Sequence, residues 1–370
     1  MGPVMEVMEK TQSRVREAMS TYLQSLPEDH SLPDALELME QYGISAIPVI
    51  AADGTPRGLL HKADIPKTVG DACAEWASID ADASIDDALA ELEWRGLGRL
   101  PVEEDGKVVG AICRAEIREY QAYEWEVERE YGVKLSQINR EVSPNDTMFN
   151  GYLWSYMTHG LSALSAIRRA LDAAEVDVPR SLLDFGCGHG RTLRYLQNAF
   201  PRSTLTVTDV SEDAVDFCGR VFGVEAVQSD PEPRNIDLPG TFDLIWCASV
   251  VTHVDQGRWP GFLQFFESHL SPGGVLVFTI GGEHVANILR DGGVGYGIDA
   301  AGREHVLAEY DRHGFGYVDY PNWPDYGVAV SSPEWAVARV ESATSLEVVD
   351  LSLRGLDDHQ DVITCRRTRA

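Results

Sequence analysis

The segment that decides the fold lies at residues 180–191 and reads RSLLDFGCGHGR. It predicts a short buried strand, a tight turn with three glycines, and a helix that begins near Arg191. Glycine is needed where the backbone adopts a positive φ angle or where a ligand presses against it. The N-terminus of the following helix offers free N–H groups and a partial positive charge, which suit a carboxylate.

An acidic residue follows at the distance that nucleotide-binding folds use. The next predicted strand, residues 204–208, leads into Asp209, roughly 20 residues after the glycine turn. Two interpretations compete, dinucleotide binding and S-adenosylmethionine binding. A dinucleotide fingerprint needs G-x-G-x-x-G/A, with the last small residue packing helix against strand. In this sequence the third glycine comes one position early, and Arg191 takes the place of the final small residue.

The pattern D-x-G-x-G-x-G followed by a strand-end Asp resembles the class I S-adenosylmethionine-dependent methyltransferases. Two later segments extend this resemblance. FDLIWCAS at residues 242–249 is similar to the family's fourth strand and the loop under the cofactor, and LSPGGVLVF at residues 270–278 is similar to the turn into the fifth strand. The resemblance covers residues 145–370 and implies an α/β fold with a Rossmann-like, seven-stranded sheet.

The resemblance also implies that the cofactor is S-adenosyl-L-methionine. Asp209 would hold the ribose, and Asp230 would lie at the adenine. The alternative interpretation is that the glycines only form a turn and that Asp209 only caps the following helix. The residues implied for the cofactor site are Asp184, Gly186, Cys187, Gly188, Gly190, Asp209, Val210, Asp230 and Ser249.

Candidate catalytic and acceptor-binding residues come from the second half of the chain. Oxygen and carbon nucleophiles usually need a general base, and the candidates are His253 and His359, although His253 also fits a plain polar packing role. The stretch 314–327 is dense in aromatic residues and predicts either a cover over the acceptor or ordinary core. The candidate acceptor-binding residues are Tyr152, Tyr156, Trp323 and Tyr326.

The first third of the chain contains an internal repeat. The segment that begins SLPDALELM at Ser31 returns as SIDDALAEL from Ser84. Self-similarity at a fixed spacing shows repeated structure without any alignment. Each copy predicts a serine-capped helix, a strand, a turn and a second strand.

This repeat resembles a tandem pair of CBS domains, a Bateman module of α+β structure. Such modules often bind adenosine-containing ligands, regulate an attached enzyme and associate as homodimers. In the family, an acidic residue near the end of each copy contacts the ribose, and it corresponds to Asp64 and Glu116 here. His61 and Cys113 replace the family's hydroxyl residues. A ligand-binding module and a purely structural or dimerising one therefore both remain open.

The predicted organisation has three parts: the CBS module at 1–122, with copies at 10–66 and 67–122, a helical connector at 123–144, and the methyltransferase domain at 145–370. The formal charge of −28 makes nucleic acid a poor substrate. No apolar stretch predicts a membrane span or a secretory signal, which favours the cytoplasm. The six cysteines and ten histidines show no metal-ligand spacing.

The sequence thus predicts transfer of a methyl group to an unidentified small molecule, with an adenosyl effector on the CBS pair as a possible regulator. A non-catalytic adenosyl sensor that signals to a partner protein is the alternative. Aminopropyl transfer on the same fold is a third option, because it would also keep the glycine turn.

Overall fold

The structure is a computed structural model, and it describes residues 14–19, 25–27, 31–41, 46–51, 55–62, 73–74, 76–149, 153–292 and 295–368. The chain forms two compact units. The first comprises residues 1–137 and 148–156, and the second comprises residues 138–147 and 157–370.

The first unit contains the repeat. Its first copy follows a short helix α1 (Val15–Ala18) and consists of helix α2 (Leu32–Gln41) and strands β1 (Ala46–Ile50), β2 (Pro56–His61) and β3 (Cys73–Ala74). Strands β1 and β2 are antiparallel, and β3 extends the sheet beside β2. Ala35, Met39, Ile47 and Val49 are buried, so one face of α2 packs on β1.

The second copy repeats this arrangement with strand β4 (Ile79–Asp80), helix α3 (Ile85–Trp94) and strands β5 (Arg99–Glu104) and β6 (Lys107–Cys113). Ser84 caps α3 by accepting a hydrogen bond from the Asp87 amide at 3.0 Å. Pro101 pairs with Ala111 in this copy, as Pro48 pairs with Leu59 in the first. The repeat read from the sequence is therefore a repeat of structure. Helix α4 (Arg114–Tyr131) continues from β6, and residues 135–137 form a short 3₁₀ helix.

The second unit is built on one twisted sheet. Within residues 181–366, apart from 293–294, seven strands pair in the order β9-β8-β7-β10-β11-β15-β14. The strands are β7 (Ser181–Phe185), β8 (Thr204–Asp209), β9 (Glu225–Gln228), β10 (Phe242–Cys247), β11 (Leu270–Ile280), β14 (Glu347–Leu356) and β15 (Gln360–Arg366). Strands β7 to β11 are parallel, and β15 is antiparallel to both β11 and β14.

The strand order reverses beside β7, because β8 and β9 lie on one side of it and β10 lies on the other. Ligands of open α/β sheets bind outside the carboxyl ends of the strands at such a switch point. The end of β7 is where the glycine turn begins, so the topology places the deciding segment at the expected ligand site.

Helices α5 (Leu153–Ala173), α6 (Leu193–Ala199), α7 (Glu212–Phe222) and α8 (Trp259–His269) connect or flank the strands. Trp259, Phe262 and Phe266 of α8 are buried in the same core as Phe185 and Phe278 of the sheet. Burial of a large apolar side chain contributes roughly 1.5–3 kcal/mol, so this aromatic layer is a principal support of the sheet edge that carries the site.

An insertion between β11 and β14 carries most of the aromatic stretch. It contains helices α9 (Glu283–Asp291), α10 (Ala300–His313) and α11 (Pro333–Ala343) and the hairpin of β12 (Phe315–Tyr320) and β13 (Trp323–Ser331). In the described ranges, no helix combines the length and the apolar character that crossing a membrane requires.

Candidate active site

The turn after β7 is shaped by three glycines with positive φ angles: 79° at Gly186, 51° at Gly188 and 78° at Gly190. A Cβ atom at Gly186 would collide with Val250, and one at Gly190 would lie 2.5 Å from the Phe222 ring. A Cβ atom at Gly188 would meet no atom within 4 Å. Two glycines are therefore required by packing, whereas Gly188 borders open space that a ligand can fill.

Buried side chains hold this turn from behind. Arg194 is fully buried and donates hydrogen bonds to the carbonyl oxygens of Gly190 at 3.1 Å and Asn139 at 2.8 Å. The thiols of Cys187 and Cys218 both donate to the Gly188 carbonyl, at 3.3 and 3.4 Å. The hydrogen bond to Cys218 and burial raise the pKa of Cys187, so it remains a thiol and a donor.

Asp209, at the end of β8, faces the turn. One carboxylate oxygen accepts the Gly188 N–H at 2.8 Å, and the other accepts the Ser211 N–H at 2.9 Å. An ionised carboxylate has about four lone-pair sites, so these two bonds leave room for the two hydroxyls of a ribose. The next side chain, Val210, is 60% exposed and offers an apolar surface beside the carboxylate.

Asp184 lies in β7, two residues before Gly186. It is 3% exposed, and its Oδ2 atom has no hydrogen-bond partner among the described residues. Burial, together with the charge of Asp209, raises the pKa of Asp184 to about 7. A cationic ligand group near this carboxyl would relieve both effects, because it would stabilise the ionised form.

The loops after β9 and β10 complete the edge of the sheet. Asp230 is used in its own loop, where one oxygen accepts the Glu232 N–H at 2.7 Å and the Asn235 side-chain amide at 3.0 Å. Ser249 has a φ angle of 55°, and its N–H donates to the Thr279 hydroxyl at 2.8 Å. Its own hydroxyl bonds the Gln360 side chain at 3.0 Å. Such strained backbone persists only where its surroundings hold it.

His253 lies on a single 3₁₀ turn, Val251–His253. Its Nδ1 donates to the Gly327 carbonyl at 2.7 Å, which leaves Nε2 as an acceptor in the neutral ring. Burial lowers the pKa of His253, so the neutral form predominates at neutral pH. The ring lies 5.0 Å from that of Tyr326.

The hairpin β12–β13 supplies an aromatic cavity of about 410 Å³, which is lined by Gly297, Tyr320, Pro321, Trp323 and Tyr326. Trp323 is 65% exposed, so much of this apolar surface is accessible to a ligand. Burial and the charge of Asp209 raise the pKa of Tyr326. The charge of Asp209 thus acts on a phenol that lines the cavity.

His359 lies in the turn between β14 and β15. Its Nε2 atom is 3.1 Å from the Tyr296 hydroxyl, its ring stacks on Tyr296, and His284 packs edge-on at 5.7 Å. Burial and the neighbouring His284 lower the pKa of His359.

The structure brings most of the predicted site residues to one sheet edge, but not all of them. Tyr156 is 2% exposed, and its ring packs edge-on against Phe149 in the first unit, which gives it a packing role. Tyr152 and Asp64 lie outside the described residues. Glu116 is engaged by its own module, because its oxygens bond Arg99 at 2.9 Å and the Cys113 N–H at 2.7 Å.

Several contributors to the site carry no distinctive sequence pattern. Arg194 looks like an ordinary helix residue, and Gln360 like a turn residue. Tyr320 lies in the aromatic stretch 314–327, whereas His284 and Tyr296 belong to the insertion outside that stretch and carried no signal.

Two family models match the chain. One, described as a methyltransferase domain, matches residues 183–276, and the other, the CBS domain, matches residues 15–71 and 74–123. The chain joins a methyltransferase domain to a tandem pair of CBS domains. The resemblances drawn from the glycine turn and from the repeat are therefore confirmed.

Curated relatives of this methyltransferase domain are O-methyltransferases. The chain is 34% identical over 114 residues to a fatty-acid O-methyltransferase of Mycolicibacterium smegmatis, which covers 29% of this chain and 39% of that protein. It is 25% identical over 194 residues to a malonyl-[acyl-carrier protein] O-methyltransferase of Halalkalibacterium halodurans, which covers 50% of this chain and 68% of that protein. The chain thus spans about two fifths of the first relative.

The CBS pair has similar solved structures. One is the crystal structure of CBSX2 in complex with AMP, whose sequence is 24% identical to this chain over the matched region. The TM-score is 0.29, and the match covers 30% of this chain and 97% of CBSX2. Hypoxic Response Protein I with two coordinated zinc ions is 25% identical, with a TM-score of 0.27, and the match covers 29% and 98%.

The methyltransferase domain implies S-adenosylmethionine, and the residues present fit that molecule. The open space at Gly188 can take its body, Asp209 has free lone pairs for a ribose, and the orphaned oxygen of Asp184 suits a cationic group. No cluster of His, Cys, Asp or Glu that could hold a metal ion occurs in the described ranges.

Proposed function

We propose that this protein transfers a methyl group from S-adenosylmethionine to a carboxylate oxygen of an apolar acid. The observation that carries the proposal is the open cradle at Gly188, which faces the Asp209 carboxylate and lies beside the buried Asp184. S-adenosylmethionine supplies a methyl group activated by a sulfonium, so the protein mainly has to align the acceptor oxygen.

The charges of the cradle suit this donor. Asp209 is positioned by two backbone N–H groups to accept hydrogen bonds from the ribose hydroxyls. Asp184 is a buried carboxyl, and the cationic sulfonium of the donor would favour its ionised form. Val210, which is 60% exposed, provides apolar surface on which the purine can lie.

The acceptor assignment rests on the cavity and on the two curated relatives. The relatives' names give a fatty acid and a malonyl group as acceptors of an O-methyl group. Tyr320, Trp323 and Tyr326 line a space suited to an apolar body. A carboxylate is already ionised at neutral pH, so its methylation needs no general base, whereas an alcohol would need His253.

Calorimetry and an acceptor series test the proposal. We expect S-adenosylmethionine to bind the full chain, and S-adenosylhomocysteine to be released with dodecanoic acid but not with dodecanol or dodecylamine, which share its chain length. Release with the alcohol alone would contradict the carboxylate assignment. Intact donor binding without turnover in acceptor mixtures and cell extract would favour the sensor, and turnover only with decarboxylated donor would favour aminopropyl transfer.

For the N-terminal module we propose a regulatory and dimerising role, in which the second copy does not bind an adenosyl ligand through Glu116. The supporting observation is that the Glu116 side chain is only 13% exposed and is held inside the module by an ion pair with Arg99 and by the Cys113 N–H. Light scattering of the full chain should give the mass of a homodimer. AMP titration of Glu116→Gln should match the unmodified protein, and a large loss of AMP binding would contradict this role.

A further inference from the structure

Two imidazoles and a phenol converge at the carboxyl end of β11. His284 lies in the first turn of α9, His359 lies just before β15, and Tyr296 lies between α9 and α10. The two imidazole rings are 5.7 Å apart, and the Tyr296 hydroxyl is 3.1 Å from His359 Nε2. We call His284, Tyr296 and His359 the imidazole cluster.

The cluster has hydrogen-bonding capacity to spare. His284 makes no side-chain hydrogen bond to the rest of the described chain, and it is only partly buried. Each neutral imidazole offers one N–H, and each protonated one offers two. Burial and the charge of His284 lower the pKa of His359, because two protonated imidazoles repel each other. An anion held between the two rings would offset that repulsion.

Two carboxylates act electrostatically on the cluster, Asp357 on His359 and Asp361 on His284, and both also have other partners. Asp357 is hydrogen-bonded to His159, and this bond lowers the pKa of Asp357. The backbone N–H of Asp357 donates to the Ser162 hydroxyl at 2.7 Å. Asp361 accepts the Arg354 N–H at 2.7 Å. The positive charges of Arg191 and Arg354 also act on these groups. The other partners of Asp357 and Asp361 and the two arginines offset these carboxylates, so the N–H and O–H donors of the cluster suit an anion.

The backbone at Tyr296 supports a ligand-holding role. Its φ angle is 46°, in the left-handed region that a bulky residue rarely adopts. The surrounding turn holds this conformation, since the Ile298 N–H donates to the Gly295 carbonyl at 3.0 Å. The strained backbone presents the phenol to His359.

The cluster lies between the donor edge and the aromatic cavity. Gln360, next to His359, bonds the Ser249 hydroxyl at the end of β10. Gly297, next to Tyr296, lines the cavity and lies against Tyr320. A molecule with an apolar body in the cavity would thus bring its head group to the cluster, at the sheet edge where the donor binds.

We propose that His284, Tyr296 and His359 bind the carboxylate head group of the methyl acceptor. This inference rests on the proposed function, since it specifies how the same site recognises its acid. Hydrogen bonds to one carboxylate oxygen leave the other oxygen free to attack the methyl group, with the carbon–sulfur electron pair leaving on sulfur.

The test compares His284→Ala, Tyr296→Phe and His359→Ala with His313→Ala, a matched control at the exposed end of α10. We expect each cluster variant to raise KM for dodecanoate by about tenfold, which is the loss of one charge-assisted hydrogen bond. The control should leave KM unchanged, and calorimetry should show the same donor affinity for all four. Unchanged KM in both histidine variants would overturn the inference.

A binding measurement separates this inference from the proposed function. Histidine ring carbons are titrated by NMR in the presence of S-adenosylhomocysteine, with and without dodecanoate. We expect dodecanoate to raise the titration midpoints of His284 and His359 by about one pH unit, with His313 unmoved. If no acid is methylated, the proposed function fails, yet these shifts still support an anion site. Absence of the shifts overturns the inference whether or not turnover occurs.

Discussion

The donor side and the acceptor side of this site are built in different ways. The donor side is built around a backbone turn of three glycines at positive φ, which two carboxylates near strand ends face and which buried side chains hold in place. The acceptor side consists of side chains from the insertion and the β14–β15 turn, such as Tyr326 and His359. The donor side is acidic and suits a cation, whereas the acceptor side carries imidazoles and phenols and suits an apolar anion.

This difference shows where specificity resides. The glycine turn binds the methyl donor, and steric requirements limit which residues it can contain. Side chains on a surface insertion can change without disturbing the sheet, so they select the acceptor. The predictions below test the two sides separately, in descending order of expected effect.

Gly188→Ala should give the largest effect, a loss of donor affinity of about a hundredfold, because the new methyl group occupies the open cradle at a positive φ. Gly223→Ala is the matched control, since Gly223 also has a positive φ and open space but caps α7 away from the cradle. Both variants should lose about 1–2 kcal/mol of unfolding free energy. Calorimetry and denaturant unfolding measure the two quantities, and equal donor affinity in both variants would refute the cradle.

Asp209→Ala should weaken donor binding by more than about tenfold, because the ribose loses a charge-assisted pair and Gly188 loses its anchor. Glu116→Ala is the comparison, since it removes the carboxylate at the corresponding ribose position of the second CBS copy. We expect it to destabilise that module through the lost Arg99 contact and leave the methyltransferase site unchanged. Calorimetric titration of both variants checks this, and a Glu116 variant that loses one bound donor per chain would show that the module binds it too.

The donor side was predictable from the sequence because its requirements are local. Gly186 and Gly190 stand where packing leaves no room for a Cβ atom, and Gly188 adopts a positive φ. Asp209 ends the next strand, so the spacing of these residues could locate them. The seven-stranded sheet was implied by the family resemblance and the repeat by the sequence itself, and the structure confirms both.

The acceptor side was predictable only in part, because its residues meet through folding. Tyr320 and Trp323 come from one hairpin, whereas His284 and Tyr296 come from elsewhere in the insertion, and no spacing links them to His359. The sequence named His359 as a base but could not show that Tyr296 and His284 surround it. It also grouped Tyr156 with the acceptor residues, although that ring is buried against Phe149.

Asp184 predicts a pH dependence confined to the donor side. Its pKa is raised to about 7 in the free protein, and a cationic donor should lower it, so binding releases a proton. Donor affinity should therefore rise by up to about tenfold between pH 6 and pH 8. Because the folded-state pKa is raised, the neutral form is also the more stable one, and the free energy of unfolding should fall as the pH rises from about 4 through 7.

Asp184→Asn provides the check, because the amide has nearly the same shape and does not titrate in this range. We expect the donor affinity of this variant to be the same at pH 6 and pH 8. We also expect that its free energy of unfolding does not fall as the pH rises from about 4 through 7. Calorimetry in buffers of different ionisation enthalpy measures the released proton directly. A pH-independent affinity in the unmodified protein would show that no cationic group lies near this carboxyl.

His253→Gln should have the smallest effect, less than about threefold in kcat with dodecanoate, because a carboxylate nucleophile has no proton to lose. The glutamine can still donate to the Gly327 carbonyl, so the hairpin should keep its position. A base that removed a proton from an alcohol would instead contribute about a hundredfold or more. The pH profile gives an independent reading, since the pKa of His253 is lowered and a required base would make the rate fall on the acid side. A large loss of kcat would therefore move the acceptor from acids to alcohols, while leaving the donor side as described.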